Sequence, residues 1–354
     1  MKKNILSLLI GVMMISAVRA DTQGRRELLA FPPSGPESAA PGLTESSKSV
    51  TGDRFRIIGR KKVIKGGYMA PLFAGDGDRL LLTGESFRGL WLLDPDDPRP
   101  EMISKELMAG WRPVVSRGGE IIFRSAVGTV NGETAYRISS YNPASRRRRL
   151  LYQGEGRDIY PPVISPCGKR ILFVEDRKTV GIDLSLPKKP TPAPPRVVFA
   201  DGGKIWVIEE DATPREISNG RETCGGEVLS PDGNRVAYLH GNSDGIIVYD
   251  FRTGKETVLG PGSSLTWSPD SNYLLYNIAL DDGSAITESD LFVAAPDGGY
   301  RQRLTATRSL DEMNPDWSPD GKKIVCEDAA CGDIYLMELS AESSPAGETT
   351  DSTE

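Results

Sequence analysis

The pentapeptide Gly241-Asn242-Ser243-Asp244-Gly245 has the G-x-S-x-G spacing of a hydrolase nucleophile elbow, and the chain's single histidine, His240, stands directly before it. A catalytic serine here would perform acyl transfer: a strained strand-to-helix turn lifts the hydroxyl, and a histidine brought from elsewhere in the chain takes its proton. The local composition argues for something simpler. Asn, Ser, Asp and Gly in succession make a hairpin turn between two strand-like segments, and a base adjacent in sequence to its nucleophile is not how a triad is assembled. A single histidine also excludes most transition-metal sites and the commonest general bases, so His240 reads as a half-exposed residue ending a strand. The carboxylate runs Asp281-Asp282 and Asp94 to Asp97 lack the alternating ligands of a calcium loop. The expectation is therefore no catalytic residue, no metal and no cofactor.

Four cysteines remain as candidate chemistry. Cys326 ends one strand-like run and Cys331 nearly begins the next, so the two flank one hairpin loop and are expected to form a disulfide in an oxidising compartment. Cys167 and Cys224 fall on opposite faces of the architecture derived below and are expected to stay unpaired with each other. The basic run Arg146 to Arg149 falls at a strand edge, where charge discourages edge-to-edge pairing.

The elements that carry these residues follow from an internal repeat. Leu229-Ser230-Pro231-Asp232-Gly233, Trp267-Ser268-Pro269-Asp270-Ser271 and Trp317-Ser318-Pro319-Asp320-Gly321 are near-identical phrases, and Ile164-Ser165-Pro166-Cys167-Gly168 is a fourth. Two worn copies, Phe73 to Gly77 and Val115 to Gly119, keep the same register. The turn positions 77, 119, 168, 233, 271 and 321 are separated by 42, 49, 65, 38 and 50 residues, the period of a propeller blade with insertions. After each turn comes a run of three apolar residues, such as Ile121-Ile122-Phe123 or Leu274-Leu275-Tyr276, as strands sandwiched between neighbouring blades require. A third run follows, such as Ile205 to Ile208 or Ile334 to Met337, and then a fourth strand in all but the last copy. The only strand-like segment left over is Lys61-Lys62-Val63-Ile64-Lys65, which is expected to pair with the last blade. The fold predicted is all-β: a six-bladed β-propeller of four-stranded antiparallel blades, its ring closed by that N-terminal strand. The long spacing is assigned to the third blade, with Pro187 to Pro195 as a polyproline insertion in it.

The domain boundaries come from composition. Residues 1–20 carry Lys2-Lys3, an apolar stretch from Ile5 to Ala17 and Val18-Arg19-Ala20, the pattern of a secretory signal peptide too short to span a membrane. Residues 21–52 and 340–354 are polar and aperiodic and are expected to be disordered, leaving 53–339 as the propeller. Removing the leader takes away three basic residues and no acidic one, moving the net charge from −6 to −9, which excludes nucleic acid as partner. The mature chain is expected to be a periplasmic or secreted monomer without a membrane span.

In a propeller the innermost strands begin at one mouth of the central channel, the default binding face. The repeat register places Trp111, Arg112, Tyr160, Glu227, Glu312 and Asn314 there as candidate partner-binding residues. The phrases Asn314-Pro315-Asp316-Trp317-Ser318-Pro319-Asp320-Gly321-Lys322-Lys323-Ile324 and Gly332-Asp333-Ile334-Tyr335-Leu336-Met337 resemble the blade repeat of the TolB-type propeller family, and Arg301 to Thr305 resembles the end of such a blade. The resemblance covers about residues 60 to 340. It implies a ring that works in the periplasm or outside the cell by binding protein, in the manner of the Tol-Pal envelope complex, rather than by catalysis. Residues 21–52 are too short and polar for the α/β domain that precedes the propeller in TolB, so a stand-alone propeller is expected. The second functional class is a propeller that binds or transforms a carbohydrate or small metabolite through channel carboxylates, lysines or arginines.

Overall fold

The computed structural model describes residues 54–341, apart from 76, 131–132, 155–158, 166–167, 169, 185–195, 210–211, 242–244 and 283–284. The leader at 1–20, the segment 21–52, most of the C-terminal tail, the proline-rich loop at 187–195, Ser243 and Cys167 lie outside the described residues. The last strand, Ile334–Ala341, continues past the boundary expected at 339.

The described residues form an all-β propeller of seven antiparallel sheets, not six. In chain order the sheets cover 69–104, 114–153, 163–183, 196–216, 224–260, 263–303 and 312–341. Five have four strands; the third and fourth have three. The miscount has a physical cause. The 65-residue interval read as one blade with an insertion contains two sheets, because the hairpin joining Arg196–Asp201 to Lys204–Glu209 turns at Gly202-Gly203 and not at a Ser-Pro-Asp-Gly phrase. Both glycines have left-handed φ, 59° and 74°, as a two-residue hairpin turn demands. Ile205 to Ile208, read as the third strand of blade three, is instead the middle strand of the fourth sheet.

In the seventh sheet the N-terminal strand Phe55–Ile64 pairs antiparallel with Ile334–Ala341, from Phe55↔Ala341 to Ile64↔Ile334. The core consists of seven apolar clusters, each shared by two successive sheets. Leu81, Leu90, Phe123 and Tyr141 join the first and second; Leu172, Val174, Val197 and Phe199 join the third and fourth. The cluster of Val63, Phe73, Leu80, Leu82, Val325 and Ile334 joins the seventh to the first.

The Ser-Pro-Asp-Gly phrase is explained by local hydrogen bonding. The hydroxyls of Ser230, Ser268 and Ser318 each donate to the Asp two residues on, at 2.6 Å in all three. Each hydroxyl also accepts from the backbone N–H five residues on, at 2.8–2.9 Å. The Asp in turn accepts from the backbone N–H two residues after it, so one Ser-Asp pair fixes a whole turn. The repeat that identifies the fold is thus a structural device, and its residues are not the site. Ser268 is buried, and Ser268→Ala is expected to cost about 1–3 kcal/mol by leaving the Tyr273 N–H and the Asp270 carboxylate short of a partner. Urea unfolding would show this as a lowered midpoint; an unchanged midpoint would contradict it.

A second repeat lies in the innermost strands. Ala70, Arg112, Gly226, Ser264 and Asn314 each stand three residues before the end of the strand preceding the turn, and all have left-handed φ, between 46° and 66°. At four of these positions the ladder slips by a bulge: Met69/Leu72, Gly225/Val228, Ser263/Thr266 and Met313/Asp316. The bulge re-aims the side chains at the start of the innermost strand.

Candidate binding mouth

Arg112 precedes the short innermost strand of the second sheet, Val114–Val115, and Glu227 lies on that of the fifth, Cys224–Leu229. The guanidinium reaches across: Nη1 donates to Glu227 Oε1 at 2.6 Å, and Nη2 donates to the Glu227 carbonyl. The Arg112 side chain is 35% exposed and that of Glu227 8%. The two residues were expected on the same rim, and the structure makes them an ion pair between sheets that are not neighbours.

Trp111, beside Arg112, lies against Arg124, whose guanidinium carbon is 4.5 Å from the indole centroid and 4.3 Å from the Tyr136 ring on its other side. Arg124 itself is buried and donates to the Ile159 carbonyl. Trp111 is therefore half-buried and held, and anchors the backbone that presents Arg112. Tyr160 packs edge-on to Phe199, 5.2 Å between centroids, within the cluster joining the third and fourth sheets. Its part is packing between blades.

On the other side of the mouth, the innermost strand of the seventh sheet, Glu312–Trp317, carries Glu312 and Asn314. Asn314 Oδ1 accepts from Ser264 Oγ at 2.7 Å, and its Nδ2 donates to Glu327 Oε1 at 2.9 Å. Glu312 is 1% exposed. One of its oxygens accepts from Thr307, while Oε2 has no hydrogen-bond partner. Burial pushes its pKa up to about 7, against the Thr307 hydrogen bond and with help from the Asp290 carboxylate.

Two further carboxylates were not singled out in the sequence. Glu327, buried, accepts from the Ala70 N–H and from Asn314, and burial raises it to about 7. Asp316 accepts from the Phe73 N–H at 2.8 Å and from Thr266 Oγ1 at 3.1 Å, and desolvation raises it to about 6. These acids of the seventh sheet grip the innermost strands of the first and sixth. A signal for the mouth was present: Pro71, Pro113, Pro162 and Pro315 occupy one register position beside the bulge. The mouth thus has an arginine on the second sheet facing a group of carboxylates on the seventh, an arrangement suited to polar and charged ligands.

The expected disulfide is not formed: Cys326 and Cys331 are free thiols. Strand pairing puts Cys326 opposite Tyr335, with its side chain in the core against the neighbouring sheet. Cys331 is exposed in the loop and donates to Asp328 Oδ2 at 3.2 Å. Burial holds both thiol pKa values up, that of Cys331 at about 11. The His240↔Gly245 pair closes the hairpin between Arg235–His240 and Gly245–Asp250, so the G-x-S-x-G segment bridges two strands and begins no helix. The arginines at 146, 148 and 149 face Glu101, Glu106 and Glu120 at 3.7, 2.6 and 3.1 Å, so their charge is largely spent within the first two sheets. Among the described residues no group of three or more His, Cys, Asp or Glu is placed to hold a metal ion, and no helix is long and apolar enough to cross a membrane.

No protein-family model and no curated protein sequence matches the chain. Solved structures do. TolB from Acinetobacter baumannii is 18% identical over 72% of this chain and 57% of its own, with a TM-score of 0.46. An oligogalacturonate lyase in complex with manganese is 16% identical over 78% of each chain, with a TM-score of 0.45. An oligogalacturonate lyase from Vibrio parahaemolyticus is 13% identical over 77% of this chain and 78% of its own, with a TM-score of 0.43. This chain spans little more than half the length of that TolB. At such identities the fold assignment rests on the chain's own strand order and core. By these the chain is a β-propeller, and TolB-type proteins are among the solved structures to which it is similar.

Proposed function

We propose that the chain is an exported, non-catalytic propeller that binds a protein of the cell envelope at the channel mouth, with the N-terminal strand closing the ring that holds this mouth in shape. The observation that carries the reading is Arg112: a half-exposed arginine on a left-handed backbone, φ 52°, at the start of an innermost strand. An L-residue is held in that region only when its surroundings over-determine it, and such outliers gather at binding sites. Arg is also among the side chains that anchor protein interfaces. Export is supported by the pattern of residues 1–20.

The test is affinity capture from envelope extract with residues 21–354, beside an Arg112→Ala/Met313→Arg variant that alters both sides of the mouth. Wild type is expected to retain a defined envelope protein that the variant, with an unchanged melting curve, does not. Equal retention by both, or by neither, would overturn the reading.

A second reading, a carbohydrate or small metabolite bound or transformed at the same mouth, is favoured by one observation. Glu312 Oε2 is buried without a partner beside the carboxylate of Asp290, and burial raises Glu312 to about 7, the range in which a carboxyl can exchange a proton at neutral pH. A thermal-shift screen with neutral and acidic sugars tests it: stabilisation lost in Glu312→Gln supports it, and no stabilisation by any member sinks it.

A further inference from the structure

The polar contacts around the mouth fall into two kinds. Most tie adjacent sheets: Ser264 to Asn314 between the sixth and seventh, Thr266 to Asp316 likewise, and Ala70 to Glu327 and Phe73 to Asp316 between the first and seventh. These brace the ring. The Arg112–Glu227 pair is different, because it joins the second sheet to the fifth with the third and fourth in between. It adds nothing to the packing of neighbouring blades.

Its geometry is also one-sided. Glu227 lies behind, 8% exposed, and the guanidinium in front, 35% exposed. Arg112 uses Nη1 and Nη2 on Glu227, which leaves part of its planar fork of donors uncommitted. The backbone holding it is fixed on both sides, by Trp111 against Arg124 and by the buried Pro113. A guanidinium so placed, with a second arginine behind the adjacent indole, recognises a planar anion of two oxygens.

We propose that the Arg112–Glu227 pair is an exchangeable latch, in which a carboxylate of the peptide partner replaces that of Glu227 on Arg112. The proposal rests on the protein-binding reading above and names the partner's recognised group. The exchange is isoelectric at Arg112: one carboxylate leaves as another arrives, no covalent bond is made or broken, and Glu227 turns to solvent. Glu227 therefore competes with the ligand, and this separates a latch from a brace. A brace weakens the site when removed; a competitor strengthens it.

The experiment is calorimetric titration of residues 21–354 with two capped pentapeptides, Ala-Ala-Glu-Ala-Ala and Ala-Ala-Gln-Ala-Ala, and with an uncapped all-Ala peptide that offers only its terminal carboxylate. The Glu peptide is expected to bind at least about tenfold more tightly than the Gln peptide. Glu227→Gln is expected to tighten the Glu peptide by about tenfold, and Arg112→Lys, which keeps the charge but loses the fork, to weaken it by as much. The all-Ala peptide tells whether a terminal carboxylate serves as well as a side chain. If Glu227→Gln lowers the melting temperature too far for titration, Glu227→Asp draws the competing carboxylate back by one methylene and is expected to tighten binding likewise. Equal binding of the Glu and Gln peptides, or weaker or unchanged binding in both Glu227 variants, overturns the latch. If that happens while the Arg112→Ala/Met313→Arg variant still loses the captured protein, the mouth remains the binding site and only its carboxylate specificity falls.

Discussion

Deleting residues 1–65, and with them the strand Phe55–Ile64, is expected to abolish cooperative folding of the propeller. The strand contributes Phe55 to the cluster between the sixth and seventh sheets and Val63 to the cluster between the seventh and first. Phe55 lies edge-on to Tyr273 at 4.9 Å and to Trp317 at 5.7 Å, and the Gln302 amide donates to its carbonyl at 2.7 Å. Loss of two buried apolar side chains and the cover they give their neighbours is worth on the order of 5 kcal/mol or more. Most domains have only about 5–15 kcal/mol in all. The deletion also bares the full length of Ile334–Ala341 as an edge strand, a template for association with other chains. Thermal unfolding with size-exclusion chromatography reads the outcome: broad melting and oligomers for the truncated chain, against one sharp transition for the full one. A monomeric truncated chain with an unchanged transition would show that the strand is an ornament. Phe55→Ala is the milder companion, with an expected loss of about 3–5 kcal/mol and the fold intact.

That strand was legible because a sheet without its outermost member leaves an open edge, and only one segment could fill it. The blade register was legible for a related reason. The Ser hydroxyl that organises each turn accepts from the residue opening the next strand, as Ser318 does from Lys323, so turn and strand are bound into one phrase. The seventh sheet was missed because its turn uses Gly202-Gly203, which needs no side chain at all. At the mouth, Arg112 and Glu227 were placed on one rim, but their pairing across two intervening sheets is a property of the closed circuit and has no local mark. Glu327 did have one. Third after the first apolar residue of the second strand stand Thr83, Arg124, Asn277 and Glu327 in four sheets, all buried. A polar residue recurring where an apolar run should continue is a sign of an inward-facing polar layer. The left-handed bulges were hidden, since only one of the five positions, Gly226, is a glycine.

The polar layer itself makes the second large prediction. Glu327 accepts from the backbone of Ala70 in the first sheet and from Asn314 in its own. Glu327→Leu leaves both donors buried without an acceptor and is expected to cost about 3–5 kcal/mol, more than the ordinary core substitution of similar volume. The pH dependence carries a separate signature. Burial raises Glu327 and Glu312 to about 7 and Asp316 to about 6 in the native protein, above the ordinary carboxylate range that holds in the unfolded chain. Between those values the native state holds protons that the unfolded state has released, so stability from these groups is complete below the unfolded pKa values, near pH 4, and is lost as pH rises through about 7. Unfolding free energy should therefore fall from pH 5 to pH 8. Glu312→Gln removes one of the titrating groups and leaves the Thr307 contact an oxygen to donate to, so it should flatten the profile. It is expected to unfold at higher denaturant than wild type at pH 8 and to lose that advantage at pH 5. Urea titrations of wild type and Glu312→Gln at the two pH values decide it: parallel profiles would mean that the carboxyl is ionised throughout and that the buried layer is stabilised by charges the geometry does not show.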